Sequence, residues 1–173
     1  MREIATEALI RQNFESELIE KALEILNMVP EVNSDKLPFE QFVNAILAFN
    51  KASLMAALNT GVPVQCEVEY AGSGDSGGVE DVSIPDHLKD VSVTFLNFHS
   101  PWIRDGRDIT VYVNALPIKD FLWYLFDHYD YENNEGGQGT VTFTSPNKEH
   151  PQGVIVLEHS DNVIETVDYE HAF

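Results

Sequence analysis

An α+β fold is predicted by three features of the sequence. Two stretches of helical periodicity precede Pro63, a period-two alternation begins after it, and one further amphipathic stretch separates two groups of alternating runs. The expected architecture is an N-terminal helical hairpin followed by a mostly antiparallel β-sheet, with one further helix packed on that sheet. The chain reads as a single domain over 1–173, with 1–60 as the helical layer and 64–173 as sheet plus helix. It shows no linker, repeat or low-complexity run.

The first helix is predicted over 3–28, where Ile10, Phe14, Leu18, Ala22, Ile25 and Val29 recur at three- and four-residue spacing, and Pro30 is expected to end it. After a polar loop from Glu31 to Leu37, Pro38 can open the second helix, which runs to about Asn59. Phe39, Phe42, Val43, Ile46, Leu47, Leu54 and Leu58 mark its expected buried face, and Gly61 and Pro63 stop it. Two helices joined by so short a loop predict an antiparallel pair.

After Pro63, Val64, Cys66, Val68 and Tyr70 alternate with Gln65, Glu67 and Glu69, which predicts a half-buried strand. Further strands are expected over Val79–Ile84, Val91–Phe98 and Ile109–Asn114, with Ser100–Asp108 as a loop or turn. A third helix is expected over Pro117–Tyr129, with Ile118, Phe121, Leu122, Leu125 and Phe126 on one side. Strands over Gly139–Thr144, Val154–His159 and Val163–Tyr169 complete the expectation.

Composition narrows the function classes. The chain has 173 residues, 43% of them hydrophobic, and carries 29 acidic against 10 basic residues for a formal charge of −19. Such a surface repels nucleic acid and anionic membrane and attracts basic proteins. The charge is uneven: −4 over 1–60, −6 over 61–100, −2 over 101–130 and −7 over 131–173. No run approaches the roughly 18 apolar residues a membrane span needs, and the acidic N-terminus lacks the pattern of a signal peptide. A cytoplasmic location is therefore expected. Cys66 is the one cysteine, so no intrachain disulfide can form. Its place in an alternating strand beside Glu67 and Glu69, with no histidine within twenty residues, predicts a core residue and not a nucleophile.

The most distinctive segment is Tyr70-Ala71-Gly72-Ser73-Gly74-Asp75-Ser76-Gly77-Gly78-Val79. Gly74-Asp75-Ser76-Gly77-Gly78 has the look of a serine-protease nucleophile segment, but no histidine precedes Ser76 to serve as its base, the first being His87. The Gly72-x-Gly74-x-x-Gly77 spacing fits a dinucleotide fingerprint, yet the residues after it have strand period, so no helix N-terminus is available for a pyrophosphate. A kinase glycine loop would need a lysine strand and catalytic motifs that the chain lacks. What remains is a glycine-rich hairpin connection, with glycines free to take positive φ and with Asp75 and Ser76 able to bond to nearby backbone.

A second acidic segment, Asp127-His128-Tyr129-Asp130-Tyr131-Glu132-Asn133-Asn134-Glu135-Gly136-Gly137-Gln138-Gly139, leads from the third helix into a strand. Asp130, Glu132 and Asn134 have alternate spacing, but Glu135 and Val141 stand where a calcium loop needs glycine and glutamate. Neither His150, His159 nor His171 has zinc-like spacing.

Taken together, Tyr70-x-Gly72-x-Gly74-Asp75-Ser76-Gly77, the run Tyr131-Glu132-Asn133-Asn134-Glu135-Gly136-Gly137-Gln138-Gly139 and the tail Tyr169-Glu170-His171-Ala172-Phe173 resemble an uncharacterised family of bacterial and phage proteins. The resemblance covers about 64–173. In that family's pattern tryptophan usually stands at the place of Tyr131 and aspartate at that of Glu135. The resemblance implies a bacterial or mobile-element setting and no particular activity.

These observations predict an acidic interaction module that binds a basic partner protein, in the manner of an inhibitor of a host nucleic-acid-handling or defence protein. The expected binding residues are Gly72, Gly74, Asp75, Ser76, Gly77, Glu80, Tyr131, Glu132, Asn133, Asn134, Glu135, Gly136 and Gly137. No catalytic set, metal or cofactor is expected, and no direct contact with nucleic acid or membrane. Two alternatives stay open: a metal-assisted hydrolase using Asp75, Glu80, Glu132 or Glu135, and a non-catalytic accessory subunit.

Overall fold

The computed structural model describes residues 16–73, 76–103, 106–126 and 136–162. Within them lie helices α1 (Ser16–Asn33), α2 (Phe39–Leu58) and α3 (Ile118–Phe126). Strands are β1 (Gln65–Ser73), β2 (Ser76–Ser83), β3 (Ser92–His99), β4 (Trp102–Ile103), β5 (Gly106–Arg107), β6 (Thr110–Pro117), β7 (Gly137–Thr144) and β8 (Val154–Asp161). The fold is α+β, and every strand pairing described is antiparallel. None of the described helices is long and apolar enough to cross a membrane. The described strands form three sheets, and the chain divides into two compact units, Met1–Val62 with His87–Ile118, and Pro63–Asp86 with Lys119–Phe173.

In the first unit, α1 and α2 pack on the β3–β6 ladder. Leu18, Ala22, Ile25 and Val32 from α1 meet Phe42, Ile46 and Phe49 from α2, and Leu96 and Ile109 close the cluster. The Phe98 ring is edge-on to both Phe39 and Phe42, at centroid distances of 5.7 and 5.4 Å. Pro30 does not end α1; the helix runs one turn further, to Asn33. That turn buries Val32 and brings Asn33 Oδ1 within 3.0 Å of the Ile109 amide, gains that outweigh the single helical donor a proline removes.

Helix α2 also departs from the expected face. Leu47 is exposed, whereas Phe49, Ser53 and Met55 are buried. The reason is polar. The Asn50 amide donates to the Leu96 carbonyl at 2.9 Å and accepts from the Leu96 amide at 2.8 Å, and the Ser53 hydroxyl donates to the Thr94 carbonyl. Asn50 and Ser53 thus turn the 46–49–50–53 side of the helix toward β3 and leave Leu47 outside it.

In the second unit the sheet order is β2-β1-β7-β8. At one end Val64 and Ser145 clamp β1 to β7: the Ser145 amide donates to the Val64 carbonyl, and the Val64 amide donates to the Ser145 hydroxyl, both at 2.9 Å. Helix α3 buries Ile118, Phe121, Leu122 and Phe126, and the Phe126 ring meets Phe143 of β7 edge-on at 5.9 Å. The segment read as a loop around Trp102 contains the small β4–β5 ladder. The expected strand over Val163–Tyr169 lies outside the described residues.

Candidate functional site

The two glycine-rich segments meet at their roots. Gly72 of β1 pairs with Gly77 of β2 on one side and with Gly137 of β7 on the other, and Ser73 pairs with Ser76. Gly72, Gly77 and Gly78 are therefore extended ladder residues, not the positive-φ turn residues expected; Gly136, at φ 73°, is the one that uses the left-handed region. A methyl group on Gly136 would sit 2.6 Å from the Gly72 carbonyl carbon and 2.7 Å from Ser73 Cα. Asn162 closes the junction: its amide donates to the Gly136 carbonyl at 3.2 Å and its side chain donates to the Gly72 carbonyl at 2.9 Å. Ser76 and Glu80 are exposed on β2. Gly74, Asp75, Tyr131, Glu132, Asn133, Asn134 and Glu135 lie outside the described residues.

Strand β2 carries a bulge. The register passes from Glu69↔Asp81 to Tyr70↔Val79, so Glu80 is the extra residue. The bulge resets the alternation, letting Val79 and Val82 both point into the core while Glu80 and Asp81 are exposed.

Alternation along β1 and β7 gives the sheet two unlike faces. On the buried face Tyr70, Gly139 and His159 form one row across β1, β7 and β8. Because Gly139 has no side chain, the Tyr70 and His159 rings meet over it, nearly parallel (13°) with centroids 5.9 Å apart, and the Tyr70 hydroxyl is 2.6 Å from His159 Nδ1. His159 Nε2 is 3.1 Å from Asp161 Oδ1. A carboxylate only accepts, so Nε2 carries a proton and, in the neutral ring, Nδ1 accepts the Tyr70 proton. Burial, and then the charge of Asp161, push the Tyr70 phenol above its ordinary pKa. The row is invisible to sequence spacing because 89 residues separate the two rings. Its one sequence signal is the pair of glycines, Gly137 and Gly139, two apart within a strand, which marks a close approach on that face.

The opposite face is acidic. Asp81, Glu69, Thr140 and Glu158 lie in one row across all four strands, and Glu67 stands in the next. Glu69, Glu80, Thr140 and Glu158 help to line a shallow concavity of about 690 Å³, to which Tyr70, Gly139, Leu157 and His159 also contribute. The four strands contain no lysine or arginine. The second unit as a whole, residues 63–86 and 119–173, holds 17 acidic and 2 basic residues, a net −15 of the chain's −19. Among the described residues no three His, Cys, Asp or Glu side chains are grouped to hold a metal ion. Cys66 is fully buried, and burial raises its thiol to about 11, which leaves it protonated and unreactive at neutral pH.

The model of a family of unknown function, DUF6878, matches residues 46–173, well over half of the chain. The chain belongs to DUF6878. No curated protein and no solved structure matches it. The DUF6878 segment opens within α2, ahead of the expected start near residue 64, and contains the glycine junction, the Tyr70–His159 row and the acidic face.

Proposed function

We propose that the four-stranded sheet is an acidic interaction module whose outer face binds a basic partner protein. The observation that carries this reading is the row Asp81–Glu69–Thr140–Glu158. Glu69 and Asp81 stand directly opposite each other, an arrangement that costs stability in an isolated sheet. No basic side chain from these strands offsets it. A partner that presents lysine or arginine to the row would relieve that repulsion and be steered to it by the field of a unit with net charge −15. In this reading the partner is a protein that ordinarily handles nucleic acid, such as a host defence protein, and the carboxylates stand where phosphates would.

The test compares the wild type with a variant combining Glu67→Gln, Glu69→Gln, Asp81→Asn and Glu158→Gln, each immobilised and exposed to a lysate of the native host. A basic protein captured at low salt, released at high salt and not captured by the variant is the expected result. Equal capture by the variant, or capture of no basic protein by the wild type, refutes the reading.

A further inference from the structure

The two edges of the four-stranded sheet are built differently. Edge strands need protection against pairing with other chains, and β2 has it: the bulge at Glu80 interrupts its register, and Glu80 and Asp81 stand exposed on it. Strand β8 also carries exposed acids, Glu158 and Asp161, but it has no bulge. Its register with β7 runs without a shift over all eight residues, it contains no proline or lysine, and no described strand pairs with its outer side.

The buried face also runs out into solvent at β8. Val82, Val68, Val141 and Leu157 form one cross-strand row; the first three are at most 3% exposed, whereas Leu157 is 61% exposed. In the neighbouring row Cys66 and Phe143 are buried and Ile155 is 38% exposed. On the acidic face Val156 is 45% exposed beside Glu158. Apolar rows that stop at an unbulged edge are of the kind that one more strand can extend.

We infer that β8 receives an extended segment of the basic partner, added as a fifth strand. Its side chains are apolar on the face of Ile155 and Leu157, and lysine or arginine on the face of Glu158. Charge selects this occupant over a second copy of the chain. Pairing β8 with β8 would extend the acidic face of one copy into that of another, each carrying −15, whereas a basic strand continues the Asp81–Glu69–Thr140–Glu158 row with the opposite sign. The inference rests on the proposed acidic-face binding and adds the backbone geometry of recognition.

The experiment uses a ten-residue peptide of alternating valine and lysine as probe. A control peptide of the same sequence, N-methylated at three successive central residues, keeps the charge but cannot pair along a strand. Binding to the full chain is followed at low salt by fluorescence anisotropy, and exchange of the 154–161 amides by hydrogen–deuterium exchange. The expected result is binding of the probe with slowed exchange across β8. N-methylation, or Leu157→Lys at an already exposed position, should each weaken binding about tenfold or more, the equivalent of one or two net hydrogen bonds. Equal binding of probe and control, lost in the four-carboxylate variant, would overturn strand addition while leaving acidic-face binding standing. Failure of the wild type to bind either peptide at low salt would overturn both. A concentration-dependent dimer that protects β8 without peptide would assign the edge to a second copy and overturn the inference.

Discussion

The Tyr70 hydroxyl reaches His159 Nδ1, 2.6 Å away, by passing over the bare α-carbon of Gly139, which pairs with both residues. Strand β7 thus spends a side chain to let its two neighbours bond across it. A methyl group on Gly139 would lie 2.7 Å from the Tyr70 oxygen and 2.9 Å from its Cζ, and would also strike the Glu158 carbonyl. Gly139→Ala is therefore expected to cost about 2–3 kcal/mol by overpacking. Tyr70→Phe, which deletes only the hydrogen bond, should cost about 1 kcal/mol. Urea unfolding checks both: the midpoints should fall in that order, with an unchanged m-value for Tyr70→Phe.

Alkaline pH should weaken the second unit from inside. Burial raises Cys66 to about 11 and raises Tyr70 in the same direction. A group whose folded pKa exceeds its unfolded one contributes stability that is fully present below the unfolded value and is lost as pH rises through the folded value. For Cys66 that loss runs from about 9 to about 11. Unfolding midpoints measured across this window should fall for the wild type and fall less for Cys66→Ala. At neutral pH a thiol reagent should modify the native protein slowly, and one thiol per chain should react rapidly once urea is added.

Asn50 should be among the costliest polar residues to lose. It supplies both a donor and an acceptor to Leu96, so Asn50→Ala leaves two backbone groups of β3 without those partners, at an expected cost of about 2–4 kcal/mol. Asn50→Asp should also destabilise, because a carboxylate can accept from the Leu96 amide but repels its carbonyl. By contrast, Lys21→Ala breaks the exposed ion pair with Glu17 and should leave the midpoint where it is. Thermal unfolding of the three variants checks the order.

Asn162→Ala should loosen the glycine junction without unfolding the sheet. The side-chain bond to the Gly72 carbonyl is lost, at a cost of about 1 kcal/mol, while the backbone bond to Gly136 persists. Amide exchange at Gly72 and Gly137 should quicken, whereas exchange at Val68 and Val141 should stay slow.

These positions show what sequence periodicity could and could not reveal. The spacing of Leu18, Ala22 and Ile25, and the alternation of Cys66, Val68 and Tyr70, located helices and strands because each reflects a single element facing a core. Pro30 misled, since the cost of one missing donor is local whereas the burial of Val32 depends on a strand some eighty residues later. Leu47 misled for a related reason: the polar clamps of Asn50 and Ser53 on β3 fix the rotation of α2, and their partners are more than forty residues away. The glycines of 70–79 and 136–139 were visible as a pattern, but their purpose was not. Gly72 and Gly137 serve strand pairing, Gly139 makes room for two rings, and Gly136 alone among the described glycines of these segments takes positive φ. The Tyr70–His159–Asp161 string and the acidic row exist only once β1, β7 and β8 are side by side.

The interleaving of the two units has a consequence for synthesis on the ribosome. The chain leaves the first unit at residue 62, returns at 87 and leaves again after 118, so α1 and α2 emerge long before the β3–β6 ladder that covers them. Until β3 and the start of β6 have been made, the α1–α2 part of the cluster lacks Leu96 and Ile109. A fragment cut at the DUF6878 boundary, residue 46, would invert the problem: it would keep the ladder and discard Leu18, Ala22, Ile25, Val32 and Phe42, five of the nine buried residues in that cluster. The family match thus begins inside a packed cluster, with most of that cluster's buried residues ahead of it.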